Sequence, residues 1–332
     1  MHHILKKLYQ SQFLTEIESY ELFRSIIKGR MNDIQLSSLL IAIKMRGLSE
    51  NEIIGAIQAY SEKFKFFPAP GYNFSDCTGT GGDTINSINL STASALVAAT
   101  CGYKIVKHCN HKISSQTGSS DVLTELGINL NISSEKSRYM LDTFNICFLS
   151  APIYNDGFKN IEKVRTILKT KTLFNILGPL LNPAKPIFSI IGVYDKKLIT
   201  IIINILNKLN YKRAIVLYSS DCDEVTLSGK TYISELKNNK IISYTVEAKD
   251  FGFHYHSNVT LKGGNPKENS DILKKIFKGY GSLAQEETIA ANVALLLKIF
   301  GNENIKDNAQ YALKIIRSGE TYHTLKKLIE KR

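Results

Sequence analysis

Three polar loops between Asp76 and Asp121 carry the residue types that bind phosphate. Small residues let backbone N–H groups approach a phosphate closely, and hydroxyl groups and a lysine such as Lys107 add further donors. The sequence therefore predicts a polyphosphate ligand. The three loops are Gly79-Thr80-Gly81-Gly82-Asp83, Asn89-Leu90-Ser91-Thr92 and Ser114-Ser115-Gln116-Thr117-Gly118-Ser119.

Each loop also has an ordinary structural interpretation. The glycine cluster lacks the Rossmann spacing, because Thr84 stands where a third glycine is needed, and no Gly-Lys-Ser/Thr follows as in a Walker loop. Such a cluster can equally be a tight turn, and Ser91 and Thr92 can cap the helix that follows them. Lys107 and His108 end a candidate strand, where ligands of open α/β sheets collect, although a lone histidine is more often structural.

Two charged features lie further along the chain. Asp223 and Glu224 follow a candidate strand. Adjacent carboxylates there usually form a solvated loop, but beside a polyphosphate they are the hard oxygen ligands that Mg²⁺ prefers. Arg165 precedes the apolar block from Thr172 to Pro183. A solvent salt bridge is its usual role, and the alternative is a bidentate bond to a substrate carboxylate.

The composition is typical of a soluble globular protein. A chain of 332 residues that is 43% hydrophobic and 22% charged can bury a sizeable core. Its five cysteines are an odd number without a CxxC pair, which indicates reduced thiols. The N-terminus lacks the apolar core of a secretory signal, and no apolar run is long enough to span a bilayer. We expect a cytoplasmic protein with no membrane partner.

The formal net charge of +12 raises the question of nucleic-acid binding. The lysines are scattered among asparagine and isoleucine, without the arginine clusters and interleaved aromatic residues that base recognition favours. We therefore expect no nucleic-acid partner. Compositional bias, a solvated surface and small anionic substrates explain the charge.

Hydrophobic periodicity divides the chain into two parts. Residues 1 to about 66 predict only helices, with capping boxes at Thr15/Glu18 and Ser49/Glu52. Beyond a Pro/Gly segment at 67–71, strands alternate with helices, and from Ser270 the pattern is helical again. The prediction is a small all-α domain at 1–70 and a large α/β domain at 71–332, with a mostly parallel central sheet flanked by helices. Candidate strands are 103–107, 146–150, 188–194 and 214–218, candidate helices are 92–101, 120–126, 135–144 and 196–209, and a hairpin is predicted at 231–235 and 241–246.

Several motifs occur together, and they resemble the anthranilate phosphoribosyltransferase family of tryptophan biosynthesis. They are GTGGD at 79–83, NLST at 89–92, KH-x-N at 107–110, SSQTGSSD at 114–121, the block from Arg165 to Pro183 with TLFNILGPLLNPA, and DEV at 223–225. The resemblance runs nearly end to end. It implies that a hinge joins the two domains, that helices around 165–183 pack onto the small domain, and that the protein is a homodimer.

The resemblance also implies a reaction, the transfer of 5-phosphoribosyl from phosphoribosyl diphosphate to the amine of anthranilate with release of pyrophosphate. It implies one or two Mg²⁺ ions bound by Ser91, Asp223 and Glu224. Anthranilate would be bound by Gly79, His108, Asn110, Arg165, Gly178 and Pro179. Phosphoribosyl diphosphate would be bound by Gly79, Gly82, Asp83, Ser87, Asn89, Leu90, Ser91, Thr92, Lys107, Ser115 and Ser119.

Four positions depart from the family's pattern. Cys109 stands where glycine is usual, His111 where arginine is usual, Asn155 where histidine is frequent, and Asp221 in place of a glycine. At position 109 a glycine would indicate left-handed backbone or close approach, so we expect Cys109 to strain the loop and weaken binding of phosphoribosyl diphosphate.

Two other functions stay open at this point. A pyrimidine nucleoside phosphorylase shares the fold and a glycine-rich phosphate loop, although residues 107–121 lack that family's second glycine-rich pattern. A nonenzymatic nucleic-acid-binding relative would keep the fold without turnover.

Overall fold

The N-terminal part of the chain is helical. The computed structural model describes residues 2–82, 85–111, 117–219 and 222–331. Capping boxes at Thr15/Glu18 and Ser49/Glu52 begin α2 and α4, as the sequence predicts, because each cap side chain accepts from the N3 backbone N–H and the N3 glutamate accepts in return. The helices are α1 (His2–Tyr9), α2 (Glu16–Ile27), α3 (Asp33–Arg46) and α4 (Glu50–Ser61).

Strands and helices alternate after the Pro/Gly segment. The strands are β1 (Ser75–Gly79), β2 (Ile105–Cys109), β3 (Ile146–Ser150), β4 (Phe188–Gly192), β5 (Arg213–Ser219), β6 (Thr231–Lys237) and β7 (Lys240–Val246). The helices among them are α5 (Leu90–Thr100), α6 (Ser119–Glu125), α7 (Ser134–Phe144), α8 (Ala151–Tyr154), α9 (Lys159–Leu168), α10 (Leu173–Leu180) and α11 (Leu198–Lys208). After β7 follow α12 (Pro266–Phe277), α13 (Leu283–Ile299), α14 (Ile305–Ser318) and α15 (Glu320–Glu330), with 3₁₀ turns at Asp156–Phe158, Ala248–Phe251 and Asn258–Leu261.

The described strands form one seven-stranded sheet in the order β3-β2-β1-β4-β5-β6-β7. The first five are parallel, and β6 and β7 add an antiparallel edge. From β1 the chain runs outward to β2 and β3, whereas β4 returns to the other side of β1 and continues to β5. The strand order therefore reverses between β1 and β4, and a crevice outside their carboxyl ends is the usual ligand site of such a sheet.

Helices cover both faces of the sheet and enclose two apolar cores. One core joins α5, α7 and the C-terminal helices to the sheet. The other joins the N-terminal helices, α9, α10 and α11 to the opposite face, and Phe174 of α10 packs edge-on against both Phe23 and Tyr60. The small all-α part, the large α/β part and the mostly parallel sheet agree with the sequence prediction. The boundary at residue 70 stays a prediction.

Element ends differ from the sequence prediction by a few residues. The second strand runs from Ile105 to Cys109, not 103–107, because Gly102 and the residues after it turn out of α5. Helix α5 begins at Leu90, two residues before the predicted start. The sequence pattern does not predict strand β1, because its sequence SDCTG is short and polar. In the described ranges, no helix has the length and apolar character needed to cross a membrane.

Candidate active site

A cavity of about 220 Å³ opens at the carboxyl ends of β1, β2 and β5. The glycine loop after β1, the N-terminus of α5, the end of β2, the start of α6 and the acidic segment after β5 form one side of it. Arg165 of α9 and residues of α10 form the other side. The cavity thus lies at the point where the strand order reverses.

The structure brings nearly all the predicted site residues to this one cavity. Those on its wall are Gly79, Gly82, Ser87, Asn89, Leu90, Ser91, Lys107, His108, Asn110, Ser119, Arg165, Gly178, Pro179, Asp223 and Glu224. Thr92 is not on the wall, because α5 directs it into the core, where it is fully buried. Asp83 and Ser115 lie outside the described residues, as does Asp221.

Two glycines let the acidic segment approach the sheet. Gly79 of β1 and Gly192 of β4 are paired in register. A Cβ atom at Gly192 would overlap the carbonyl oxygen of Asp223, and one at Gly79 would overlap the Asp223 carboxylate. The obstacle at Gly79 is a side chain, which can move, whereas the obstacle at Gly192 is main chain. Only glycine leaves room at Gly192, so this strand end fixes how close Asp223 comes to the sheet.

Gly192→Ala is therefore expected to displace the main chain of Asp223. A backbone atom cannot move aside as a flexible side chain can, and a displacement of about 1 Å at a reacting site lowers kcat/KM at least about tenfold. Steady-state rates with the two substrates that the resemblance implies, phosphoribosyl diphosphate and anthranilate, measure the effect. Gly71→Ala is the matched control, since a Cβ at Gly71 meets nothing within 4 Å. Equal rates in the two variants would contradict the prediction.

Backbone N–H groups of the glycine loop and of the start of α5 hold the two carboxylates. Asp223 Oδ2 accepts a hydrogen bond of 2.6 Å from Gly81 N, and Glu224 Oε1 accepts one of 3.0 Å from Ser91 N. Buried Lys107 donates from Nζ to Cys77 O at 2.6 Å and to Ser91 Oγ at 3.1 Å. A cation, two carboxylates and a hydroxyl therefore converge at one side of the cavity.

His108 is a neutral side chain at the junction of the two sides. Burial lowers its pKa to about 4, with the charge of Lys107 acting in the same direction. The neutral ring donates from Nδ1 to Gly178 O at 3.2 Å, and the backbone N of His108 donates to Asp76 Oδ1 at 3.2 Å. The pKa of buried Asp76 is raised to about 6 by desolvation, and its Oδ2 accepts from Asn182 Nδ2 at 2.8 Å. Asp76 thus ties β1 to both β2 and the segment after α10.

Arg165 supplies a positive charge to the side opposite the glycine loop. Its guanidinium lies 5.4 Å from the centroid of the Phe174 ring, and burial lowers its pKa to about 10, so the group stays charged at neutral pH. Within the described ranges no carboxylate forms a salt bridge with it. A second cavity of about 300 Å³ shares Asn110, Arg165 and Phe158 with the first. The arrangement suits a planar carboxylate that approaches from this side.

The expectation that Cys109 strains the loop is wrong. Cys109 is the last residue of β2, pairs in register with Ser150, and does not have a left-handed backbone. Its side chain is buried, and burial raises the pKa of the thiol to about 11, so the thiol is poorly reactive. Position 109 needs no glycine here. We therefore no longer expect Cys109→Gly to bind phosphoribosyl diphosphate more tightly.

Two other departures have local partners. His111 Nδ1 lies 2.7 Å from Asp121 Oδ1 at the exposed start of the hydroxyl-rich loop. Asn155 is buried, donates from Nδ2 to Tyr60 O at 2.9 Å and accepts from Gly157 N at 3.0 Å. Asn155 therefore fastens the segment before α9 to α4, which is a structural role.

The sequence interpretation missed several wall residues. Phe158 stacks on Tyr60 with ring centroids 4.6 Å apart and carries no local signal of a site. Six others belong to the quoted GTGGD, hydroxyl-rich and TLFN motifs, so motif membership could have identified them: Thr80, Gly81, Thr117, Gly118, Phe174 and Asn175. Cys109 and His111 were named only as departures from the family's pattern, and the remaining missed wall residues are Thr78, Ile88 and Ala151.

The fold and the site define a glycosyl transferase. Residues 2–64 match the helical bundle domain of the glycosyl transferase family, and residues 71–322 match its a/b domain. Within that class, the chain belongs to the anthranilate phosphoribosyltransferase family.

Curated relatives and solved structures agree with this placement. The anthranilate phosphoribosyltransferase of Buchnera aphidicola subsp. Melaphis rhois is 57% identical over 325 residues, which cover 98% of each chain. That of Buchnera aphidicola subsp. Acyrthosiphon pisum (strain Tuc7) is 58% identical over 322 residues, 97% of this chain and 94% of the relative. The crystal structure of the Thermus thermophilus enzyme superposes with a TM-score of 0.91 at 28% identity, covering 99% of this chain and 98% of that one. The Saccharomyces cerevisiae enzyme in complex with PRPP and Mg superposes with a TM-score of 0.89 at 27% identity, covering 99% and 96%.

Proposed function

We propose that this chain transfers the 5-phosphoribosyl group of phosphoribosyl diphosphate to the amine of anthranilate, giving N-(5-phosphoribosyl)anthranilate and pyrophosphate in tryptophan biosynthesis. The observation that carries the proposal is the convergence of phosphate-binding loops, an acidic pair and Arg165 on one cavity. Two chemically different substrates, one a polyphosphate and one an aromatic carboxylate, can be bound there side by side.

The glycine loop, the start of α5, Lys107 and Ser119 would bind phosphoribosyl diphosphate. Backbone N–H groups at a helix N-terminus and in a glycine-rich loop favour phosphate oxygens, and Lys107 adds a full positive charge. The roles inferred for Asp83, Thr92 and Ser115 remain part of the proposal through the resemblance alone.

Mg²⁺ fits the donor set of Asp223, Glu224 and the Ser91 hydroxyl. These are hard oxygen groups, and in the described part of the chain no group of three His, Cys, Asp or Glu side chains forms a complete metal site. Mg²⁺ commonly binds one or two carboxylates and completes its coordination with water and substrate phosphates. When bound, the ion would neutralise charge on the departing diphosphate. One or two ions are compatible with this set.

Anthranilate would be bound on the side of α9 and α10. Arg165 would bind the carboxylate, and Asn110, His108, Gly178 and Pro179 would surround the ring and amine. Because His108 is neutral at physiological pH, it adds no positive charge that would repel the developing charge at the reacting amine. The reaction needs no covalent nucleophile, since departing charge is stabilised by preorganised cations and N–H donors.

A steady-state assay tests the proposal. Loss of anthranilate fluorescence is measured with phosphoribosyl diphosphate, with and without Mg²⁺, beside thymidine phosphorolysis. Turnover of anthranilate that requires both phosphoribosyl diphosphate and Mg²⁺ supports the proposal. Thymidine phosphorolysis without anthranilate turnover would indicate a nucleoside phosphorylase, and salt-dependent DNA retention without either activity would indicate a nucleic-acid-binding relative.

The proposal includes a homodimer in the cytoplasm. Five free cysteines are compatible with a reducing compartment.

An apolar face on α3 supports self-association: Ile34, Ile41 and Met45 lie at helical spacing, and Ile34 and Met45 are 80% and 79% exposed. Ile34→Glu with Met45→Glu is expected to give monomers by light scattering, whereas Ile242→Glu on exposed β7 is expected to leave the mass unchanged. A monomeric wild type would contradict the dimer.

A further inference from the structure

Asn292 is a buried polar side chain in the otherwise apolar middle of α13. It is only 7% exposed and is flanked by alanine, valine and leucine in the run AANVALLL. Its Oδ1 accepts a hydrogen bond of 3.0 Å from Val225 N, and its Nδ2 donates to Val225 O at 2.9 Å. Both backbone polar groups of one loop residue are therefore bound by a single amide. The same Nδ2 also donates to Thr288 O at 2.9 Å, within α13.

Val225 directly follows the two carboxylates of the candidate metal site. It is completely buried, and the segment that contains it has left β5 and is not part of any regular element. A loop of this kind has no ladder of backbone hydrogen bonds to fix it, so its position depends on side-chain contacts. The amide of Asn292 binds both the N–H and the C=O of Val225, next to Glu224.

Helix α13 also packs against α5, the helix that carries Ser91 near its N-terminus. The hydroxyl of Ser91 and the carboxylates of Asp223 and Glu224 therefore share one rigid support. Asn292 forms a polar link between that support and the acidic segment. Neither substrate needs to reach Asn292, because it lies behind the acidic segment and outside the wall of the main cavity.

We propose that Asn292 is the positioning residue that sets the Asp223–Glu224 pair for Mg²⁺ and diphosphate. This inference rests on the proposed function, since it assumes that the two carboxylates bind the metal. Removing the amide leaves the N–H and C=O of Val225 buried without their partner, and the loop then shifts or takes up water. The carboxylates keep their chemistry but lose their alignment with Ser91.

A purely structural role is the competing explanation, and the chain offers a matched control for it. Asn308 of α14 is 8% exposed and donates to Ala294 O at 3.2 Å and to Asn302 O at 2.7 Å. It is another buried asparagine bonded to backbone groups, and it is not part of the cavity wall. Its hydrogen bonds do not reach the acidic segment, so loss of its amide is expected to lower stability alone.

The experiment compares Asn292→Ala with Asn308→Ala in the full chain. The first measurement is the Mg²⁺ concentration that gives the half-maximal rate. The second does not depend on turnover: it is the difference in unfolding temperature between the protein with phosphoribosyl diphosphate and Mg²⁺ and the protein with phosphoribosyl diphosphate alone. For Asn292→Ala we expect a half-maximal concentration at least about fivefold higher, which is about 1 kcal/mol, and a smaller thermal rise. The anthranilate KM at saturating Mg²⁺ is expected to stay within about twofold of the wild type, because Arg165 is untouched.

Asn308→Ala is expected to unfold at a lower temperature with wild-type values of both Mg²⁺ measurements. Wild-type Mg²⁺ dependence in folded Asn292→Ala would overturn the positioning role. If Asn292→Ala does not fold, Asn292→Ser replaces it, because serine keeps a polar group at this position. Asn292→Ser is expected to change both Mg²⁺ measurements in the same direction. Wild-type Mg²⁺ values in Asn292→Ser would equally overturn the positioning role of Asn292. A wild-type enzyme that needs no Mg²⁺ would instead contradict the proposed function itself.

Discussion

Asp223→Asn combined with Glu224→Gln is expected to lower turnover about a thousandfold, or about 4 kcal/mol in activation free energy. The amides keep the size of the side chains and can still accept from Gly81 N and Ser91 N, so the loops keep their backbone contacts. What they lose is the negative charge that holds Mg²⁺ on the diphosphate. The remaining activity should require a higher Mg²⁺ concentration. Initial rates across a Mg²⁺ titration, with circular dichroism as a test of folding, measure both effects.

The matched control for this double variant removes two negative charges outside the cavity. Asp271 and Glu62 are solvent-exposed carboxylates outside the cavity, with side chains 53% and 45% exposed. Asp271→Asn with Glu62→Gln is expected to leave turnover and Mg²⁺ dependence unchanged, because exposed ion pairs contribute little and neither residue contacts the site. Unaltered Mg²⁺ dependence in the folded site variant would exclude Asp223 and Glu224 as the metal-binding pair.

Arg165→Ala is expected to raise the KM for anthranilate far more than that for phosphoribosyl diphosphate. A charge-assisted, two-point contact with a carboxylate in a partly buried position corresponds to about 2–4 kcal/mol, which the variant loses. Arg165→Lys should recover only part of the loss, since an ammonium group cannot form the two parallel hydrogen bonds. Separate KM determinations for the two substrates measure the discrimination. Aniline lacks the carboxylate, so it should be a poor substrate for the wild type and lose little more in the variant.

Arg24 provides the comparison for this effect. Its guanidinium also lies over an aromatic ring, 5.8 Å from the centroid of Tyr20, but the side chain is 49% exposed and pairs with Glu62 at 3.7 Å. Arg24→Ala is expected to leave both KM values unchanged. Equal increases for both substrates in Arg165→Ala would indicate that Arg165 supports α9 and α10 and does not bind anthranilate.

The features that the sequence predicts well are encoded by residues close together in the chain. The capping boxes of α2 and α4 each span four residues, and the hairpin of β6 and β7 turns at Asn238 and Asn239, both with positive φ, as a tight hairpin turn requires. The motifs predicted to bind phosphate are local as well. Their residues follow strand ends, and the carboxyl ends of parallel strands share one sheet edge, so their convergence was predictable.

Long-range packing accounts for what the sequence did not reveal. Nothing near Gly192 indicates that the backbone of Asp223 passes over it, and nothing near Asn292 indicates the bond to Val225. Cys109 shows the opposite error, because the family's usual glycine predicted strain at a position that the strand accommodates. A single sequence gives the residue types at a site, whereas the clearances between distant segments depend on the folded chain.

The aromatic contact between the N-terminal helices and α10 has a consequence for synthesis of the protein. Phe23 and Tyr60 leave the ribosome early, but Phe174, which packs against both, follows about 110 residues after Tyr60 and about 150 after Phe23. Such distant contacts form slowly. We expect the nascent helices to keep an uncovered aromatic surface during this interval and to complete their fold only with α9 and α10. We therefore expect the N-terminal helices and the α/β part to complete their packing together during synthesis, before a substrate binds.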